Sequence, residues 1–351
     1  MKKIKKLLIS LLCVLSVGFG SFAFSGCEQQ GEKGEKGETG AGIQSVEVDE
    51  NGKLIITLTD GTVLPAIELP TISSTESASD LQYQKIAGKD EYCVMGIGLV
   101  AGNDIVIPST YNGKPVTEIG ESAFANTYIT SIKIPNTVKT IGEKAFDGCS
   151  SLTNVEMPNS MESMGYFVFR GCSSLISIKI PDGVTSIGES AFDGCSSLTS
   201  IEIPDSVIDI VGGAFCYCSS LTSIELPEGI TNVGWLFRGC SSLTSIEIPD
   251  SVTDIGEFAF DGCSDLTSVV IPEGVTSITY GAFNGCSSLT SVYYKGTVAD
   301  WGNIEWLYGG WVDKELISAT RYCYIENEGD VPTDGGNYWH YVDGVPTPWG
   351  V

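Results

Sequence analysis

Histidine occurs once in 351 residues, at His340, and basic residues number 19 against 44 acids. A single imidazole excludes the clustered histidines of most zinc centres and leaves little for histidine-dependent acid–base chemistry. The formal charge of −25 repels nucleic acid and anionic lipid, so no nucleic-acid partner is expected. Also missing are a P-loop, a dinucleotide fingerprint, a His-x-x-x-His pair, a nucleophile elbow and a Cys-x-x-Cys pair. No twelve-residue calcium loop is present, so the chain reads as non-enzymatic, without metal or other cofactor. His340 sits in the alternating segment Asn337-Tyr-Trp-His-Tyr-Val-Asp-Gly344, the pattern of a packed or half-exposed strand residue rather than a base. Beyond the N-terminal leader, no apolar run approaches the roughly 20 residues of a membrane crossing.

The leader itself, residues 1–26, places four lysines before an uncharged apolar stretch. This is the pattern of an export signal, and its removal takes the formal charge to −29. Phe24-Ser25-Gly26-Cys27 resembles a bacterial lipobox, with phenylalanine in place of the usual leucine. That resemblance implies diacylglycerol on the Cys27 thiol and a membrane-anchored lipoprotein at the bacterial cell surface. Ordinary signal cleavage nearby and an uncleaved membrane helix are the alternatives, and each exports the remainder.

Residues 27–42 contain GEKGEKGETGAG, four glycine-first triplets that resemble collagen. The tract is read as a flexible charged tether, with a trimerisation seed as the alternative. Residues 43–69 alternate apolar and polar positions around Asn51-Gly52 and Asp60-Gly61, which predicts a small three-strand β-module. Such a module is marginal alone, which favours self-association through residues 31–69. A Ser/Thr-rich linker spans 70–82, followed by an N-terminal cap over 83–104.

From 105 to 294 the chain repeats itself. Phenylalanines at 124, 146, 169, 192, 215, 237, 260 and 283 are spaced by 22 or 23 residues, and an apolar-Pro step recurs with the same beat. The unit is close to C-S-S-L-T-S-I-x-I-P-x-x-V-T-x-I-G-x-x-A-F-x-G, and eight tandem units at this period predict a solenoid. In the unit around Pro204, Ile201 and Ile203 share the inner face of a short strand. Pro204 ends that strand, and Asp205-Ser206 turn the chain. Val207 and Ile210 then begin a second inward row, and Gly-x-x-Ala-Phe is short enough for one helical or 3-10 turn. Stacking brings leucine onto leucine and phenylalanine onto phenylalanine at about 4.8 Å.

This unit resembles the BspA-type leucine-rich repeat of bacterial surface proteins. The entry, Asp104-Ile-Val-Ile-Pro108-Ser-Thr-Tyr-Asn-Gly-Lys-Pro115, and the exit, Val292-Tyr-Tyr-Lys-Gly296-Thr-Val-Ala-Asp-Trp301, are similar to the family's own. The resemblance implies a leucine-rich-repeat solenoid, β-rich with short helical or 3-10 turns, and a β-rich C-terminal cap over 295–351.

Seven of the twelve cysteines, at 149, 172, 195, 218, 240, 263 and 286, occupy one column of the repeat. Leucine-rich repeats place asparagine or cysteine there to plug the corner before the strand. Each is read as a small buried hydrophobe with a weak donor, partial oxidation and metal binding being the alternatives. Cys216-Tyr-Cys218 reads as local variation, and Cys93 and Cys323 fall in opposite caps.

Between the inward strand residues lies an outward column: Lys133, Glu156, Lys179, Glu202, Glu225, Glu247, Val270 and Tyr293. On leucine-rich repeats this face commonly carries ligand contacts; a merely solvated sheet is the alternative. The Val270–Tyr293 end is the expected hot spot, because aromatic residues dominate contact energetics. Turn acids Asp182, Asp205, Glu228, Asp250 and Glu273 run alongside. Tryptophans 301, 306, 311, 339 and 349 either cover the last repeat or bind carbohydrate. Resemblance to adhesins of this family implies a lipid-anchored surface protein that recognises an extracellular protein, matrix component or glycan. An envelope spacer and glycan binding through the C-terminal aromatics are the other two readings.

Overall fold

The computed structural model describes residues 43–48, 53–59, 62, 67–68, 81–98, 102–306, 313–332, 334 and 336–349. The leader, Cys27, the glycine-triplet tract, both predicted hairpin dipeptides and Trp311 lie outside them. The chain divides into two compact units, Met1–Ser73 and Ser74–Val351. In the first, Ile43–Val48 pairs antiparallel with Lys53–Leu58, which pairs with Ile67–Glu68. This is the three-strand order that the alternation predicts.

The second unit opens with the antiparallel pair Leu81–Lys85 and Tyr92–Ile97. Leu81 and Gln82 therefore belong to this sheet rather than to the linker of 70–82, because Leu81 is buried against the core and pairs with Ile97. Tyr92–Ile97 runs parallel to Lys114–Ile119 and so feeds the solenoid. A hairpin at Asn112-Gly113, with φ of 50° and 71°, joins Thr110–Tyr111 to Lys114–Ile119, as a primed turn requires.

Each repeat then makes one rung with three sides. The first side is the predicted short strand: Asp104–Val106, Ser131–Lys133 and Asn154–Glu156 lie parallel, as do Ser177–Lys179 and Ser200–Glu202. Further on, Ser245–Glu247, Ser268–Ile271 and Ser291–Tyr294 form a third parallel set. From Pro135 to Pro272 the proline carbonyl after the first side accepts from the N–H three residues on, as in Val207 N to Pro204 O at 3.0 Å. That bond closes the expected turn. The second side is a two-residue strand around the second inward row, such as Ser186–Ile187 against Asp209–Ile210.

The third side differs from the helical turn expected of Gly-x-x-Ala-Phe. The residues two before and two after each core phenylalanine are left-handed, for example Ser190 at φ 50° and Gly194 at φ 74° around Phe192. Two such positions per rung prevent a helix and divide the segment into consecutive turns. Alternate N–H groups then point along the solenoid: Phe192 donates to Ala214 at 2.8 Å, and Gly194 to Cys216 at 2.8 Å. At Gly194 the demand for glycine is conformational, since its φ of 74° is one that residues with a Cβ rarely adopt.

All eight phenylalanines are fully buried. Successive rings lie 5.1–5.8 Å apart with planes 4–21° from parallel, an offset stack through the core. From Phe146 to Phe283 each core phenylalanine carbonyl accepts the cysteine N–H three residues on, as Cys195 donates to Phe192 at 3.1 Å, and Phe124 accepts that of Thr127 at 3.2 Å. From Phe124 to Phe260 the same carbonyl also accepts the Sγ–H of the next rung's cysteine, at 3.0–3.3 Å. The column is thus a ladder of S–H···O=C bonds, and all ten described cysteines are free and buried.

The first strand ladder is interrupted in two places. Between Asn154–Glu156 and Ser177–Lys179 no strand pairing forms, and residues 223–225 adopt no strand. At the first break, Met157, Met161 and Met164 stand where neighbouring rungs carry isoleucine or valine. Unbranched, flexible side chains support a pleated edge less well. At the second, the rung from Pro227 to Phe237 is one residue shorter than its neighbours, with Gly-Trp-Leu-Phe in place of Gly-x-x-Ala-Phe. The backbone bonds there lengthen, Thr222 N to Thr199 O being 3.4 Å.

After the last motif, Glu305–Trp306 and Thr320–Tyr324 extend the second and first ladders. Tyr338–Val342 and Val345–Pro348 complete the β-rich cap, with short helices at Val298–Gly302 and Lys314–Ser318. The edge strand carries Pro346 and Pro348, which remove ladder donors.

The central column generates a stability prediction. Phe192→Ala should lower the unfolding free energy by about 3–5 kcal/mol. Cys195→Ala, losing one inter-rung bond and little volume, should lower it by about 1–2 kcal/mol. Denaturant midpoints would check both, and a smaller loss for the phenylalanine variant would contradict the stacking account.

Candidate functional site

The outward column is divided by the structure. Lys133, Glu156, Lys179, Glu202, Glu225 and Glu247 are exposed. Lys133 and Glu156 are ion-paired across adjacent rungs at 2.6 Å, a solvent-screened contact of small energetic weight. Glu225 keeps its outward position although its rung has no strand.

The expected hot spot at the C-terminal end is corrected. Val270 is 4% exposed, and Tyr293 is half-buried. The register places Val270 between Glu247 and Tyr293. Two groups from further along the chain span this rung to reach Glu247: Lys295 Nζ at 2.9 Å and the Tyr341 hydroxyl at 2.6 Å. Lys295 also binds Asp250 at 2.8 Å. Burial opposes the Lys295 charge, but hydrogen bonds to Asp250 and Glu247 outweigh it and raise its pKa. Burial and the Glu247 carboxylate push the Tyr341 phenol up.

Trp339, 0% exposed, completes the closure. Its ring lies 5.3 Å from Tyr293, 5.0 Å from Tyr324 and 4.9 Å from Tyr341, and its indole N–H donates to the Tyr294 carbonyl at 3.0 Å. Trp301, Trp306 and Trp349 are partly buried against the core. The described C-terminal aromatics therefore pack as a cap, the role a solenoid end demands, instead of forming a free carbohydrate surface. His340 is stacked on Trp349 at 3.5 Å within the cap's last strand pair.

The first ladder break opens a feature that the repeat pattern hides. A cleft of about 660 Å³ lies at the rung carrying the methionines, lined by Glu156, Met157, Asn159, Lys179, Pro181 and Asp182. It brings two residues of the outward column, Glu156 and Lys179, together with the turn acid Asp182. Three methionines within one repeat were the available signal, legible only once the break showed their effect.

Among the described residues no three His, Cys, Asp or Glu side chains are placed to hold a metal. Five of the column thiols are unsuited to nucleophilic work, since burial pushes Cys195 up to about 12 and raises Cys218, Cys240, Cys263 and Cys286 as well, whereas the hydrogen bond with Cys172 lowers Cys149.

The sequence model for the BspA type leucine rich repeat region matches residues 117–235 and 190–304, in six copies. Among solved structures, the chain is similar to a leucine-rich repeat protein from Bacteroides ovatus, with 28% identity and a TM-score of 0.57. That match covers 70% of this chain and 69% of the other. It is also similar to a leucine-rich repeat protein of T. pallidum, at 30% identity and a TM-score of 0.49, over 60% of this chain and 89% of that one. The search of curated proteins returned no match.

The five thiols raised by burial, Cys195, Cys218, Cys240, Cys263 and Cys286, set an alkaline limit. Their folded pKa values lie above the unfolded value of about 8.5, so the folded state retains protons that the unfolded chain releases. Stability should be fully present below that pH and fall as pH rises through it toward the folded values. The five raised thiols named above give a limiting slope of about 7 kcal/mol per pH unit. Urea midpoints under reducing conditions at pH 7, 8.5 and 9.5 would check this; a flat profile would contradict a buried thiol column.

Proposed function

The chain belongs to the BspA-type leucine-rich repeat family, and from that premise we propose that it is a lipid-anchored surface protein that binds an extracellular protein through the open part of its strand face. Proteins with this repeat are generally bacterial surface proteins, and the solenoid family is generally non-enzymatic. The observation that carries the reading is the exposed run from Lys133 through Glu156, Lys179 and Glu202 to Glu225. Its charges alternate in sign before turning acidic, which favours a partner with a complementary pattern and penalises a mismatched one. The cleft beside Lys179 gives that face a concave element. Anchoring through Cys27 agrees with the leader, and no helix among the described residues is long and apolar enough to cross a membrane.

An envelope spacer is the second reading, favoured by the first unit. Its sheet has a third strand of two residues, Ile67–Glu68. So small a sheet is marginal in isolation and gains from association of copies through residues 31–69.

Binding of the purified protein to immobilised extracellular-matrix proteins tests the adhesion reading. The double reversal Lys179→Glu with Glu202→Lys should weaken binding about tenfold, and raised salt should slow association. Uniform absence of binding, or indifference to the reversal, would remove this role for the face. Separately, Cys27→Ala should abolish incorporation of a lipid label and release the protein into the medium. Retention of both label and membrane association would contradict the anchor.

A further inference from the structure

On the turn side of the solenoid, away from the strand face, three successive rungs each carry an aromatic residue near the core phenylalanine. Trp235 and Phe258 hold the left-handed position two before Phe237 and Phe260, at φ 62° and 52°. Tyr280 stands three before Phe283. Elsewhere this left-handed column holds Ser122, Lys144, Ser190, Gly213 and Gly281, with Phe167 the other aromatic. A bulky ring in this backbone region is strained, and the stacked rungs must offset that strain.

Trp235 and Phe258 lie 4.6 Å apart, and Phe258 and Tyr280 5.3 Å apart. Trp235 is 38% and Tyr280 43% exposed. Gly281 makes room for the middle ring, since a Cβ there would come within 2.9 Å of Phe258.

Beside the rings runs a second row, one residue after each core phenylalanine: Arg238, Asp261 and Asn284. Arg238 Nε donates to one Asp261 oxygen at 3.0 Å, and Asn284 Nδ2 to the other at 2.7 Å. The guanidinium also lies 5.4 Å from the Trp235 ring centre and 5.3 Å from that of Phe258. At the Tyr280 end the rings open into a cleft of about 400 Å³, lined also by Asn284, Asp313, Lys314 and Glu315.

We propose that this turn face, with Trp235, Phe258 and Tyr280 as platform and Arg238, Asp261 and Asn284 as polar edge, binds a neutral β-linked glycan. Trp235 and Tyr280, tilted 52° and 90° from the Phe258 ring between them, keep exposed aromatic surface for the C–H groups of pyranose units. The edge offers planar donors and acceptors with arginine and carboxylate charges already offset, which suits hydroxyl groups and disfavours a ligand carrying net charge. An anionic polysaccharide is further opposed by the chain's −25. Adjacent rings of the turn face are spaced 4.6 and 5.3 Å, close to one sugar residue of an extended β-linked chain. The site is separate from the strand face and stands whether or not that face binds protein.

The test titrates the full chain with cellohexaose, xylohexaose and chitohexaose, read by calorimetry and tryptophan fluorescence. At least one should bind, and the three arms distinguish plant-type chains from the acetylated sugars of bacterial walls. Trp235→Ala and Tyr280→Ala should each weaken binding about tenfold, and Asn284→Ala by a smaller factor. Tyr166→Ala, on a distant rung, and Glu202→Lys, on the strand face, should leave it unchanged. Melting curves confirm that each variant is folded; should Trp235→Ala unfold, Tyr280→Ala and Asn284→Ala carry the test. Binding of none of the three oligosaccharides, or binding that survives Tyr280→Ala and Asn284→Ala, would overturn the proposal. Preference for a sulfated competitor or a proline-rich peptide would overturn it too.

Discussion

The carbonyl of each core phenylalanine sits at the junction on which the solenoid depends. From Phe124 to Phe260 it receives a backbone N–H from its own rung and a thiol from the next, while its ring stacks on the adjacent core rings. A rung that loses this junction leaves a buried carbonyl short of one partner and the adjoining rings without a face to stack on. This is why cysteine recurs in a protein without described disulfides: a small, apolar side chain with one weak donor fits a fully buried corner. In the first rung the same position holds Thr127, whose hydroxyl turns back to its own Phe124 carbonyl at 2.7 Å because no preceding core phenylalanine is there to receive it.

Because the turn side carries the register, the strand side is free to vary. The turn-side bonds continue through the methionine rung, where Phe146 donates to Val168 at 2.9 Å. They also continue into the shortened rung, where Phe215 donates to Leu236 at 3.2 Å. Strand pairing is lost at both places without dividing the body. The interruptions leave a surface of unequal parts: a paired N-terminal section, a cleft, a loosened middle and a C-terminal section under the cap. Recognition by a repeat protein needs such departures, since a perfectly regular ladder would present the same contact at every rung.

The cap shows how a solenoid end competes with a binding surface for the same residues. Lys295 and Tyr341 converge on Glu247, and Trp339 covers Tyr293, so aromatic area available for a partner is used to shield the last rungs. Burial of so many rings at the end of the stack also keeps the final strands from presenting a free edge, a role completed by Pro346 and Pro348.

Much of this was legible in the sequence because a tandem repeat writes its core many times. The 22–23-residue beat of phenylalanine, proline and cysteine was enough to assign the solenoid, its inward rows and the outward column. What a repeat pattern treats as noise was less accessible. Glycine after phenylalanine in most rungs was visible, but not that two left-handed residues would replace the expected helical turn. Val270 was taken as exposed because strand alternation is a local rule, whereas its burial depends on Lys295 and Tyr341 reaching back over its rung from distant positions. Likewise, Trp235, Phe258 and Tyr280 are separated by 22 or 23 residues and become neighbours only when rungs stack. Sequence by itself determined the rung, since hydrophobic spacing and turn chemistry act within one period. Tertiary structure decided which of its outward positions stay open, because that depends on contacts between rungs and on where the cap folds.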